Sequence, residues 1–167
     1  MLELIKKLEN SPEFKKYKKE NPDAFLTHVF YMLDEANKNA VQVGYYNKDR
    51  DRITTFVIEG KSIIKNPEAE VFKEQETVMN PLDISKVKIG ISEAVEIAEN
   101  LQKKKYKENI PFKKIAILQH LPVGQVWNIT FVTQTFKTLN IKVDASTKKV
   151  VSDRLISIVE FSSDSKK

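Results

Sequence analysis

Catalysis needs nucleophiles, titratable groups or metal donors gathered in one place, and this sequence offers few of them. It contains no cysteine, which removes thiolate nucleophiles, disulfides and cysteine-ligated metal or iron–sulfur centres. Two imidazoles are present, His28 and His120. A zinc site would have to be completed by carboxylates, and none stands near either histidine at ligand-like spacing. His28 borders an apolar stripe, and both histidines read as structural or merely exposed. Asp144 is the most eventful carboxylate. In the run 144–148 its side chain is placed to accept hydrogen bonds from following backbone N–H groups and so fix a turn, and no second carboxylate accompanies it for acid–base work. Gly44, Gly60, Gly90 and Gly124 are scattered and form no phosphate-cradling loop. The reading is therefore a non-enzyme, with no catalytic residue, no metal and no cofactor.

Two other residue sets could bind rather than react. Lys15, Lys16, Lys18 and Lys19 surround Tyr17, and Lys103, Lys104, Lys105 and Lys107 surround Tyr106. Lysines could follow a phosphate backbone while each tyrosine stacks on a base, so nucleic-acid binding is one alternative. Against it, both clusters lie near helix ends, where the macrodipole favours cations. The net charge of +5 is almost wholly lysine, with only Arg50, Arg52 and Arg154 able to read phosphate or guanine bidentately. The second set is Tyr45, Tyr46, Trp127, Phe131 and Phe136, which could line a small-ligand groove on a sheet face. Aromatics alternating in strands serve equally as core or cross-strand pairs.

The elements that must position these residues follow from periodicity. With 41% hydrophobic residues among 167, the chain can bury a core without metal or disulfide support. Leu2, Ile5 and Leu8 interleaved with Lys6, Lys7 and Glu9 predict an amphipathic helix and not a signal peptide, hence a cytoplasmic protein. Every apolar run falls short of the ~20 residues of a membrane span. Ser11-Pro12 and Asn21-Pro22 predict two further helix starts. The second of these would carry Phe25, Leu26, Val29, Phe30, Leu33 and Ala36 as a stripe lying over a sheet, ending near 37–39. From position 40 the period becomes two: Val41, Val43 and Tyr45, a polar turn at 47–51, then Ile53, Thr55 and Val57 on one face. Gly60 reverses the chain into a strand at 61–64, and a short strand is expected at 70–72. Residues 73–88 connect two halves, with room for a strand at 77–79 and a boundary near Pro81. Ser92 is expected to cap a helix burying Ala94, Val95, Ile97, Ala98 and Leu101. Strands follow at 115–118, at 127–133, through Leu139, Ile141 and Val143, and over 150–159; Phe136 and Lys137 fall in a turn, and 162–167 is a polar tail.

Laid over each other, the halves repeat. Residues 41–47 match 127–133, and Ile53, Thr55 and Val57 match Leu139, Ile141 and Val143 at the same offset. After one inserted residue, 61–65 falls on 148–152 and Val71-Phe72 on Ile158-Val159, which predicts a duplicated helix-plus-meander unit. The expected fold is α+β: tandem helix-plus-antiparallel-sheet units, at 1–80 (N-terminal helices and a diverged unit) and 81–161.

The second half resembles the PepSY domain family. The resemblance rests on the helix Ile-Ser-Glu-Ala-Val-Glu-Ile-Ala at 91–98, Trp127 opening a strand, and above all Ile-Lys-Val-Asp-Ala-Ser-Thr-Lys-Lys-Val-Val at 141–151. Val143, Asp144, Ala145 and Thr147 match that family's strand-end series, and Lys148 stands where Gly is usual, at a cost of ~1 kcal/mol if the turn is left-handed. The resemblance implies a cystatin-like helix wrapped by an antiparallel sheet and a non-catalytic, protein-binding or regulatory role, with a peptidase among the partners. Antiparallel sheets expose unpaired backbone at their edges, so the expected contact is an edge strand, available to a partner or to a second copy as a homodimer.

Overall fold

The computed structural model describes residues 1–37, 39–70 and 78–157. The expected strand positions Val71, Phe72, Thr77, Ile158 and Val159 and the tail 162–167 lie outside the described residues.

Helices α1 (Leu2–Glu9) and α2 (Pro12–Glu20) open the chain. Ser11 caps α2, its Oγ accepting from Phe14 N–H at 3.2 Å, with Pro12 in the first turn where a missing N–H costs nothing. No helix starts at Asn21-Pro22: Asn21 closes α2, and Phe25–Met32 is strand β1. The stripe from Phe25 fits a helical period, but Phe25, Thr27, Val29, Phe30 and Tyr31 are aromatic or β-branched, residues that pack best on a pleated surface. A run this short is ambiguous by periodicity, and tertiary pairing decides. The remaining elements are β2 (Ala40–Asn47), β3 (Arg52–Glu59), β4 (Ser62–Lys65), β5 (Ala69–Glu70), α3 (Ile91–Lys105), β6 (Pro111–Leu121), β7 (Gly124–Thr133), β8 (Lys137–Asp144) and β9 (Val150–Ser157). Helix α3 starts from Gly90, two residues before the expected cap Ser92, which lies within the first turn.

The described strands form one antiparallel sheet in the order β4-β3-β2-β1-β6-β7-β8-β9, with β5 also on β3. The order is a palindrome of two meanders, β1–β4 and β6–β9, joined where β1 pairs with β6 through Val29↔Leu118 and Tyr31↔Ala116. Each meander follows its own helical segment, so the fold is α+β with the sheet dominant. Cross-strand partners share a face. Val29, Val43, Phe56, Leu118, Trp127 and Val143 therefore lie on the face that carries all three helices, and all are buried in one core with Ile5, Leu8, Phe14, Tyr17, Ala94 and Ala98.

On β3, Ile53, Thr55 and Val57 do share a face, but it is the opposite one to that of their repeat matches Leu139, Ile141 and Val143. Thr54, Phe56 and Ile58 point inward, whereas Ile53, Thr55 and Val57 lie on the sheet's other face. The cause is a turn one residue longer than its counterpart: Tyr46 pairs with Ile53 across six intervening residues, Val132 with Thr138 across five. With a side-chain period of two, that single residue moves every side chain of the strand to the opposite face.

Candidate binding surfaces

The aromatic set does not form a surface. Tyr45, Tyr46, Trp127 and Phe131 are buried, between 0% and 5% exposed, which corrects the expected ligand groove. Tyr45 packs with Phe14, Tyr17 and Phe56 in a ring cluster under α2, and its hydroxyl donates to Glu9 Oε1 at 3.0 Å. Trp127 lies under the start of α3 and satisfies its indole by donating to the Ile89 carbonyl at 3.1 Å. Phe136 alone of the set is open to solvent, in a left-handed turn with φ 54°.

The basic clusters are surface features. Lys15, Lys16 and Lys19 are exposed, and half-buried Lys18 donates to the Ala24 carbonyl at 2.6 Å. Tyr17, however, is buried, and no nucleobase can stack on it. At the end of α3, Lys103, Lys104, Lys105 and Lys107 are all exposed, and this end sits against β9. Lys105 Nζ is 2.5 Å from Asp153 Oδ1, and Tyr106 donates its hydroxyl to the same oxygen. Hydrogen bonding to Lys105, then to Tyr106, holds the Asp153 carboxyl below its ordinary range, and the same pairing raises Lys105. Sequence reading missed Asp153 as the anchor of α3, because a lone Asp in an edge strand carries no local signal.

Neither histidine joins a ligand set; among the described residues no group of three or more His, Asp or Glu is placed to hold a metal ion. His28 lies flat over Gly44 on the cross-strand partner, so close that a Cβ there would stand 2.0 Å from the ring. His28 Nδ1 is 3.0 Å from Thr27 Oγ1, which itself donates to the Gly44 carbonyl. His120 Nδ1 lies 2.8 Å from the Pro81 carbonyl, on the wall of a cleft of about 530 Å³ that also includes Asp83, Lys86, Gln125, Asp144 and Ser146. Its polar walls are already engaged. Gln125 exchanges two hydrogen bonds with the Asp83 backbone, and Asp83 holds Ser85. Asp144 Oδ1 accepts from Ser146 N–H, Ser146 Oγ and Thr147 N–H at 2.7–2.9 Å. Desolvation pushes this carboxyl up, but the bonds from Ser146 and Thr147 outweigh it and bring the pKa down to about 2. Asp144 is the turn former read from the sequence, and Lys148 takes the left-handed conformation, φ 68°, that favours glycine.

The two edges of the sheet differ. One is divided between β4, four residues, and β5, two residues, on either side of Pro67, with ion pairs Arg50–Glu68 and Arg52–Glu70 across it. Short, charged, interrupted edges resist further pairing. The other edge is β9, eight continuous residues paired, among the described residues, with β8 alone. Val150 and Val151 are exposed on it.

No protein-family model matches the chain, and no curated protein matches it. Among solved structures, it is similar to the crystal structure of a "putative lipoprotein" of Clostridium difficile 630, with a TM-score of 0.56 and 17% sequence identity, over 86% of this chain and 90% of that one. At that identity the likeness extends to the fold. Among the described residues, no helix is long and apolar enough to cross a membrane.

Proposed function

We propose that the protein is a non-catalytic binding or regulatory module that takes up a partner's extended segment along β9. The observation that carries this reading is the contrast between the sheet's edges: β4 and β5 are short and ion-paired, whereas β9 runs for eight continuous residues, in regular register from Ser152 to Ser157 after a shift at Val151, with one side unmatched among the described residues. A row of unpaired backbone N–H and C=O groups is a template for a further strand. The resemblance of roughly residues 84–160 to PepSY domains supports a peptidase as partner, and the Asp144 turn with its left-handed Lys148 supports the resemblance. A cytoplasmic location belongs to the same reading, which takes the amphipathic pattern of Leu2–Glu9 as that of helix α1, with Ile5 and Leu8 in the core.

The test is capture from native lysate on the immobilised full chain, run beside Ser152→Pro and Leu155→Pro. These positions have opposite parity, so one of the two N–H groups faces away from β8 and its loss blocks the outer edge while sparing the ladder. A peptidase or other protein retained by the wild type and lost by the variant that keeps the wild-type unfolding midpoint is the expected result. Equal retention by the blocked-edge variant contradicts the reading, as does a stoichiometric metal ion surviving dialysis.

A further inference from the structure

The charge of this protein is not spread over both units. Residues 81–157 hold thirteen Lys and Arg against seven Asp and Glu, whereas residues 1–70 hold twelve against twelve. The excess concentrates around β9. On the helix side, α3 ends against this strand through Lys105 and Tyr106, and brings exposed Lys103, Lys104 and Lys107 with it. On the opposite face, Arg154 of β9 is exposed beside Asn140, and Lys142 of β8 stands opposite Ser152. Asp153, the acidic residue of β9, is already neutralised by Lys105. A strand added outside β9 would therefore run between cations above and below the sheet.

We propose, resting on the edge-strand reading above, that the partner segment taken up by β9 is an acidic extended peptide, with Asp or Glu at alternate positions. Successive side chains of an added strand point to opposite faces. Asp or Glu at alternate positions therefore share one face, the one turned to the lysines at the end of α3, while Arg154 and Lys142 add to the positive field from the other side of the sheet. Exposed charges beside a sheet edge are screened over ~8 Å at physiological ionic strength, so they discriminate between partners and speed encounter more than they add affinity. A nucleic acid would meet the same cations but has no backbone amides to complete the β9 ladder. Its aromatic platform is also missing, since Tyr17 is buried and the Tyr106 hydroxyl is held by Asp153.

The experiment uses the full chain and three labelled eight-residue probes of alternating Val with Glu, Lys or Thr, followed by fluorescence anisotropy at low and physiological salt. The expected result is that the Glu probe binds at least tenfold more tightly than the Lys probe, with the Thr probe between. Lys103→Glu/Lys104→Glu/Lys107→Glu, which leaves the Lys105–Asp153 pair intact, should remove that preference. Amide exchange then reads the contact itself: the Glu probe should protect amides of Val150–Ser157 in the wild-type chain, without need of a proline variant. Equal binding of all three probes with protection of β9 overturns the acidic preference and leaves the edge reading standing. Binding of the Glu probe that follows the lysines but protects nothing in β9, or that a random oligonucleotide displaces at lower concentration than the unlabelled probe, overturns strand addition in favour of polyanion binding. No binding of any probe overturns both.

Discussion

Asp144 shows how one side chain can define a hairpin. Its Oδ1 gathers three hydrogen bonds from Ser146 and Thr147, and the chain turns back into β9. Asp144→Ala should lower unfolding stability by about 1 kcal/mol, the usual cost of losing a capping side chain, read as a shift of the urea midpoint. The folded pKa of about 2 lies below the unfolded value of 3.8, so the contribution is present above 3.8 and is lost as pH falls through 2. The variant should accordingly show a flatter acid limb between those values. Lys148 offers the converse: its φ of 68° suits glycine, and Lys148→Gly should raise stability by up to about 1 kcal/mol. The exposed Lys148–Glu93 ion pair lost with it, at 2.6 Å, offsets little of that. His28 adds a pH dependence of its own, because burial depresses its pKa below 6.5. The unfolded chain then binds the proton first, so stability should decline as pH falls below 6.5, and His28→Gln should abolish that part of the slope. Gly44→Ala should be strongly destabilising, since its Cβ would meet the imidazole ring, and Gly44→Ala/His28→Ala should recover much of the loss in a double-mutant cycle.

The same dependence on partners explains which elements were legible from sequence. The meander β6–β9, the Asp144 turn and the buried row Leu139, Ile141 and Val143 follow from period-two alternation and turn chemistry, signals confined to a few neighbouring residues. Strand β1 was not legible because its alternation is masked by apolar residues on both faces: Val29 enters the core while Phe25 packs edge-on against Tyr46 on the sheet's other side. Thr27 interrupts the period again, since the pairing with β2 shifts register between Leu26 and His28. Which side of the sheet the shared face of Ile53, Thr55 and Val57 takes was not legible for a related reason, as one extra turn residue is invisible to any count made within the strand. The aromatic set was legible as core or surface alike, and only the packing of α2 and α3 over the sheet decided for core. The β9 edge was readable as a strand but not as an edge, because edge status belongs to the sheet order.

At the scale of the whole molecule, the two meanders are not independent bodies. Strand β1 is central, hydrogen-bonded to β2 on one side and to β6 on the other, and Leu82 N–H donates to the Leu26 carbonyl at 2.8 Å. The ring contact between Tyr31 and Trp127 crosses the same seam. Removing residues 81–167 would turn β1 into a second open edge, strip Val29 and Tyr31 of Leu118, Ala116 and Trp127, and leave a fragment whose small core rests on α1, α2 and strands β1–β5. Chains of this size bury a smaller share of their surface and tolerate such losses poorly. A fragment of residues 1–80 should therefore be insoluble, or soluble without a cooperative thermal transition, whereas the full chain should unfold in one step with both meanders losing structure together. Circular dichroism melts and size-exclusion chromatography of the two proteins decide it: a monomeric 1–80 fragment with a sharp transition would show that the first unit holds its own core, and that the β1–β6 seam joins two finished domains.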